Sequence, residues 1–364
     1  MACSGSFTDL WLNDGPASKL NNSWACTQEQ QSGCVYEDDL FTTSIVSTIK
    51  AHDPSVPFFS YIAFHNVHAP LEVPDAQLAS FAWIPDLNRR KYAAMVNYMD
   101  KHLGDVVDAL KSAGMWENTL LVAAADNGGP LGSANNFPLR GSKMSNWQGG
   151  TRGNAFVSGG VLPEAQRGKT LEGFIAVEDW YTTFCALAGV DPEDASGAAA
   201  GLPPVDGLNQ WPYISGAASS SLRTELWSGG SDGPNERSGN AIIQGFTEVS
   251  TGYELLVGVL ENNCWTGPYY PNSTSGPGCD PLDCGFPDAP AKKSGKKGCL
   301  FNIITDPTQH SDLSEKNPDI VARLYSRLKA VNATCFSPNR GSSDPTVCST
   351  WRTKYGQFVG PFLP

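Results

Sequence analysis

Between Thr119 and Gly153 the chain gathers residue types that handle anions and hard metal ions. Asp126 and Asn127 precede Gly128, Gly129 and Pro130, then Arg140 and Lys143 lie together in LRGSK, and Arg152 follows in GGTRG. An Asp carboxylate and an Asn amide oxygen are hard ligands that suit calcium or magnesium. On these four residues alone, Asp-Asn-Gly-Gly is a turn closed by Asx hydrogen bonds. The cations that follow shift the reading. Arg supplies a planar fork for two anion oxygens, Lys a compact point charge, and Gly141 lets the backbone approach a ligand. A cation pair beside a hard metal suits a tetrahedral anion, so sulfate or phosphate esters are the substrates this chemistry would take.

The elements needed to position these residues follow from the flanking patterns. Leu120 to Ala125 is an unbroken apolar run, the pattern of a strand covered on both faces in a parallel sheet, and it ends at the Asp-Asn pair. In open α/β sheets ligands collect beyond the carboxyl ends of strands, which is where Asp126 and Asn127 fall. Upstream, Leu40, Ser44, Ile45, Thr48 and Ile49 repeat at helical spacing. The run FFSYIAF after Pro57 reads as a second buried strand, delivering His65, Asn66, Val67 and His68 to its end. Tyr92, Met95, Met99, Val106 and Leu110 mark a long amphipathic helix between Leu87 and Ala113, closed by Gly114, with the two Met as core packing. AFVSGGVLP is a further strand and turn, FIAVEDWYTTFCALAGV a helix ended by Gly189, and 191–204 a surface loop.

The segment DNGGPLGSANNFPLRGSKMSNWQGGTRG closely resembles the sulfatases, within them the arylsulfatase branch that includes N-acetylgalactosamine-4-sulfatases. That resemblance implies that Asp126 and Asn127 bind calcium, with magnesium as the alternative, and that Lys143 contacts the substrate sulfate. VHAP resembles the family element whose His contacts the sulfate and the leaving group, which puts that role on His68. Catalytic duty is thus expected of His68 and Lys143, and substrate binding of both together with Arg140. The resemblance also implies an α/β, alkaline-phosphatase-like fold with a mixed, mostly parallel sheet flanked by helices and a small C-terminal antiparallel-sheet domain. PPVDGLNQWPYISG resembles the segment before that domain, dividing the chain into 1–218 and 219–364. Beyond the division, TELWSG, AIIQGFTEV and YELLVGVL are short strand-like runs. The Pro-, Gly- and Cys-rich stretch from Cys264 to Cys299 lacks a C-x₂-C pair and reads as a stapled loop instead of a zinc site. Asn317 and Pro318 start a helix with Ile320, Val321, Leu324 and Leu328 on its apolar face, inside LFNIITDPTQHSDLSEKNPDIVARL, which resembles the family's C-terminal signature.

The family's nucleophile is a formylglycine made from the first residue of a C/S-x-P-x-R motif, and none of the ten cysteines fits that motif. In CFSPNR, from Cys335 to Arg340, the Pro stands three positions after the Cys instead of two. The resemblance assigns the motif, two further calcium-binding Asp, an Arg and a Lys-x-His element to a segment upstream of Met1. The expectation is a sulfuric ester hydrolase of sulfated carbohydrate or aryl sulfate esters whose N-terminal third lies outside this chain. A non-catalytic sulfate-binding or interaction protein and a phosphoryl-transfer hydrolase of the same superfamily are the alternatives.

Composition bounds the rest. A net charge of −12 over 364 residues argues against nucleic acid as a partner, and no apolar run is long enough to span a bilayer. Ten cysteines and the sequons at Asn21, Asn272 and Asn332 point to a secreted or lysosome-like compartment and to glycosylation at those three positions. Residues 1–20 hold no apolar core of signal-peptide length, so a signal peptide is expected upstream of Met1. Cys185, in a helical apolar pattern, is expected to be a free thiol.

Overall fold

A computed structural model of the chain describes residues 8–17, 34–229, 240–245, 252–271, 279–288, 295–334, 344 and 346–361. Strands β1 (Trp11–Leu12) and β2 (Gly15–Pro16) form an antiparallel hairpin. It is tied to the far end of the chain, where Trp11 Nε1 donates to the Val359 carbonyl at 2.6 Å.

Helix α1 (Glu37–Ala51) is followed by the short α2 (Asp75–Ala79) and the long α3 (Leu87–Ser112). The Asp86 side chain caps α3 by accepting from the Arg89 amide at 2.8 Å, and Gly114 follows its end at φ +69°, a conformation that suits Gly. Ile49 from α1 packs with Val106, Ala109 and Leu110 from α3, and Phe58 and Ile62 lie against this cluster. Met95 is buried in a second cluster with Ala94 and Tyr98, so it is core, as its spacing suggests.

The FFSYIAF run departs from the expected buried strand. It forms no strand pairing among the described residues, and while Phe58, Ile62 and Phe64 are partly buried, Phe59 is 72% and Tyr61 85% exposed. Helices α1 and α3 cover one face of the segment, while on the other Phe59 meets only the edge of Phe184 among the described aromatic rings, at 5.9 Å between ring centres. Strand β3 (Leu121–Ala124) has the expected position but only partial burial. It precedes α4 (Gln148–Thr151) and pairs antiparallel with β4 (Ala155–Ser158), Leu121 opposite Ser158 and Ala124 opposite Ala155. Every strand pairing among the described residues is antiparallel, so the parallel neighbours expected for β3 are not among them.

Helix α5 (Asp179–Ala188) ends at Gly189 with φ +67°. Cys185 is a free thiol. Within the expected loop lies the short α6 (Ala195–Ala199), and α7 (Trp211–Ile214) follows. Asp179 is fully buried and organises this region. It accepts from Arg223 Nε at 2.8 Å and Nη2 at 2.6 Å, from the amides of Ala176 and Leu208, and from Gln210 Nε2. The carboxylate thereby ties the first turn of α5 to segments about thirty and about forty residues onward, and Arg223 cancels its charge.

The remaining strands are β5 (Glu225–Ser228), β6 (Asn240–Gly245), β7 (Gly252–Val257), β8 (Val259–Leu260), β9 (Leu282–Asp283) and β10 (Cys299–Asn302). Four of them form the expected antiparallel sheet, in the order β10-β7-β6-β5. Helix α8 (Pro318–Asn332) lays Val321, Leu324 and Leu328 on Leu255, Val257 and Leu300 of this sheet, and α9 (Val347–Lys354) closes the described chain. The stapled loop is present as the disulfides Cys264–Cys279 and Cys284–Cys299, and Cys34 and Cys348 are also disulfide-bonded. The sheet's second face is not filled from its own half alone, because fully buried Trp147 packs with Leu256, Leu260 and Phe301.

Replacing Asp179 by Ala leaves Arg223 with Glu178 at 3.3 Å as its remaining ion pair and leaves the Ala176 and Leu208 amides unpaired. The expected loss is about 2–5 kcal/mol in urea unfolding, from two buried donors at about 1–3 kcal/mol each, and a loss below about 1 kcal/mol would show that the network does not anchor this region.

Candidate active site

The loop after β3 is held by backbone bonds on both sides of the Asp-Asn pair. The Ala125 amide donates to the Asn154 carbonyl and the Gly128 amide to the Gly150 carbonyl, both at 2.8 Å. The Asn136 side chain closes the turn, accepting from the Gly129 amide and donating to its carbonyl at 2.8 Å. Gly128 has a packing reason to be Gly, since a Cβ there would meet the Gly149 carbonyl oxygen at 1.7 Å. Asp126 is exposed. Asn127 Nδ2 donates to the Gly128 carbonyl, leaving Oδ1 available as a ligand. Tyr92 from α3 lies close enough to Asp126 that its hydroxyl, already raised by burial, is raised further by that carboxylate.

Lys143 is tied to this loop because its amide donates to the Gly129 carbonyl at 3.1 Å. Its ammonium has no hydrogen bond or ion pair among the described residues, and the same holds for the exposed guanidinium of Arg152. Both are free to meet an anion.

Arg140 is not, and here the substrate-binding role expected of it is corrected. It is only 7% exposed, stacked between Trp147 and Trp265 with its guanidinium carbon 3.7 and 4.3 Å from the two ring centres. Nε and Nη2 both donate to Asn263 Oδ1, and Nη1 donates to the Gln309 carbonyl at 2.8 Å. Burial pulls the guanidinium down to about 10, opposed by Asp312 and Asp306. The donors that spacing offers to a substrate are consumed in holding the loop. Arg152 is the free arginine beside Asp126, and its one sequence signal is its place in GGTRG.

Under the same loop lies Glu254 of β7, completely buried. Its oxygens accept from Gln148 Nε2 at 3.2 Å and Gln309 Nε2 at 2.6 Å, and Gln309 Oε1 in turn accepts from the Gln148 amide at 3.0 Å. Burial raises the carboxyl from 4.5 to about 8, against the two donors that favour its charged form.

His68 comes from the segment before α2. It lines a cavity of about 590 Å³ with Glu37, Asp38, Asp39, His65, Asn66 and Glu72 among its walls. His68 Nδ1 lies 2.7 Å from the Ala69 carbonyl. A carbonyl can only accept, so Nδ1 carries the hydrogen and Nε2 is the basic nitrogen of the neutral ring. Asp38 accepts from the amides of His65 and Asn66, and burial nevertheless holds its carboxyl above the usual range. No hydrogen bond or ion pair among the described residues joins His68 to Asp126, Asn127 or Lys143.

A family model described as Sulfatase matches residues 5–190, a span that takes in His68, Asp126, Asn127 and Lys143. The chain belongs to the sulfatase family. It is 30% identical over 348 residues to arylsulfatase J of Mus musculus, covering 93% of this chain and 54% of that protein. It is 32% identical over 142 residues to N-acetylgalactosamine-6-sulfatase of Sus scrofa, covering 37% of this chain and 26% of that one. The chain thus spans about half the length of the first of these relatives and less of the second. Among solved structures, the crystal structure of Ps i-CgsB superposes with a TM-score of 0.64 at 24% identity, over 89% of this chain and 61% of that one. At that identity the likeness carries the fold, an alkaline-phosphatase-like α/β architecture.

Membership in a metal-dependent family raises the question of fit. Exposed Asp126 and the free Oδ1 of Asn127 are hard oxygen donors of the right kind for calcium or magnesium, and they supply two of the roughly six to eight ligands calcium takes. Among the described residues no group of three or more His, Cys, Asp or Glu could hold a metal by itself. Of the sequons, Asn21 and Asn272 lie outside the described residues. Asn332 ends α8 half-buried, with its Oδ1 accepting from Trp227 Nε1 at 2.9 Å.

The Glu254 network makes stability depend on pH with a definite sign. The folded state binds the Glu254 proton more tightly than the unfolded chain, so this group's contribution is complete below about 4.5, falls as pH rises toward about 8, and is flat beyond. Glu254→Gln removes the titration. The melting temperature of the variant, followed across that window, is expected to vary less with pH than that of the parent, and an unchanged profile would rule the carboxyl out as its source.

Proposed function

We propose that the protein is a sulfuric ester hydrolase that removes sulfate from a sulfated carbohydrate. The observation that carries this reading is the unpartnered Lys143 ammonium, hydrogen-bonded through its own amide to the turn that bears Asp126 and Asn127. Sulfated carbohydrate as the substrate class is supported by the names of the relatives. One structure alike in fold, Ps i-CgsB, is also solved in complex with k-i-k-neocarrahexaose.

Hydrolysis of R–O–SO₃⁻ adds one water across the sulfur–oxygen bond and releases ROH and hydrogen sulfate. Lys143 would offer its three N–H donors to the sulfate oxygens, steadying charge as that bond breaks. Arg152 would add a fork on the same side. His68, held by Ala69 with Nε2 outward, can carry a proton at that atom to the departing alcohol. A calcium ion held by Asp126 and Asn127 would act as a Lewis acid toward the sulfate. No C/S-x-P-x-R element stands in these 364 residues. That observation favours, as a second reading, a sulfate-binding protein without turnover. The disulfides support a secretory compartment, and the change of texture near residue 218 supports a catalytic unit followed by a smaller one.

The test is sulfate release, followed by ion chromatography, from sulfated galactose and galactosamine oligosaccharides by the protein purified from its own source. Release is expected, lowered about 10²- to 10³-fold by Lys143→Ala. Binding of sulfated oligosaccharide without release would instead select the second reading. Release of phosphate from matched phosphate esters, with sulfate esters inert, would make it a phosphoryl-transfer enzyme.

A further inference from the structure

Lys143 is held at its backbone from two sides. Its amide donates to Gly129 in the Asp-Asn turn, and its carbonyl accepts from Asn262 Nδ2 at 2.9 Å. Asn262 comes from the segment after β8, more than a hundred residues later in the chain. It adopts φ +53°, a left-handed conformation that Asn tolerates better than most residues. The residues that follow continue the grip along the same loop. Asn263 Oδ1 takes two donors from Arg140, the Cys264 carbonyl accepts from the Gly141 amide at 2.8 Å, and Trp265 forms a β-bridge with Arg140 and covers its guanidinium. The disulfide to Cys279 braces the middle of this segment, and Trp265 Nε1 anchors it to the Thr308 carbonyl at 2.6 Å.

We propose that Asn262 is a positioning residue for Lys143, so that a segment remote in sequence sets where the anion-binding ammonium points. The proposal rests on the reading of Lys143 given under the proposed function and deepens it. The physical case is one of leverage. A lysine side chain is flexible, so the direction of its ammonium depends on a fixed backbone, and Met144 directly after it already sits at φ +70°. Without Asn262 the Lys143 carbonyl keeps, among the described residues, the weaker bond from the Ser142 hydroxyl at 3.2 Å, and the Ser142–Met144 turn is left with its local Ser142 bonds and the Gly129 contact. A misplacement of about 1 Å in a positioned group can cost about 100-fold in rate.

The test compares two ties between the same parts of the chain. Asn135 Nδ2 donates to the carbonyls of Gly267, Pro268 and Tyr270, each at 3.0 Å, and touches nothing at Lys143. Acylation of Lys143 by an acetyl N-hydroxysuccinimide ester is followed by peptide mass spectrometry, with and without inorganic sulfate. The proteins compared are the parent chain, Asn262→Gly, Asn262→Asp and Asn135→Ala. Gly keeps the left-handed backbone and removes the amide, and Asp keeps the shape and removes the donor.

The expected result is that both Asn262 variants change the sulfate-free labelling rate of Lys143 by about three- to tenfold, the range set by one neutral hydrogen bond. Both should also lose the protection that sulfate gives the parent, while Asn135→Ala retains the parent's rate and protection. Parent-like rate and protection in the Asn262 variants would overturn the proposal, as would an equal change in Asn135→Ala. If sulfate fails to protect the parent while the Asn262 variants still shift the rate, the positioning role stands and the anion-binding reading of Lys143 falls.

Discussion

The guanidinium of Arg140, stacked between Trp147 and Trp265 and bonded to Asn263 and Gln309, ties the loop after β3 to two segments more than a hundred residues onward. A desolvated cation over an aromatic face is worth about 2 kcal/mol, and hydrogen bonds to a charged group about 1.5–3 kcal/mol each. Those gains offset the cost of taking an arginine out of water with no carboxylate bonded to it. The ionic help is indirect, from Asp306 and Asp312 nearby. The strand-to-helix stretch from Asp126 to Thr151 contains no regular element longer than the single turn of α4, so its shape is imposed from outside by this contact and by the Glu254 network beneath it.

Much of this architecture was legible in the sequence, and the reason is local. α1, α3, α5 and α8 announce themselves through apolar spacing and through Gly114, Gly189 and Pro318 at their ends, because helix periodicity and capping are carried by near neighbours. The antiparallel C-terminal sheet was legible from short strand-like runs between turns, and the stapled loop from cysteine spacing. FFSYIAF misled because an apolar run shows that a segment can be buried, while burial itself depends on what packs against it. Phe59 and Tyr61 face solvent in the described chain although their residue types read as core.

The candidate site was legible in part for the same reason. The turn that bears Asp126 and Asn127 is joined to Lys143 by one backbone hydrogen bond through Gly129. Arg140 was misread because residue type and proximity to Lys143 cannot reveal that Trp147, seven residues on, and Trp265, from a distant segment, close over it. Arg152, two residues past the Gly150 carbonyl that accepts from the Gly128 amide, carries the free charge instead. Asn262, Asn263, Glu254 and Gln309 had no signal at all. Each acts across more than a hundred residues of sequence, and a polar residue in a strand or turn looks the same whether it faces water or a partner.

Charge decides what kind of anion such a site can take. These 364 residues carry −12, and the cavity beside His68 is walled by Glu37, Asp38, Asp39 and Glu72, while Lys143 and Arg152 stand unpaired among the described residues. At physiological salt the field of a surface charge decays over about 8 Å, so an approaching ligand first meets the net negative surface and feels the cations only at contact. A long polyanion would place many of its charges against that surface and gain only from the few cations it meets at close range, Lys143 and Arg152 among them. A ligand with one sulfate on an otherwise neutral, hydroxyl-rich body avoids the repulsion and keeps the gain. On the proposed reading of a sulfate-ester hydrolase, the acidic balance of these residues therefore weighs toward a sparsely sulfated carbohydrate over a densely charged one.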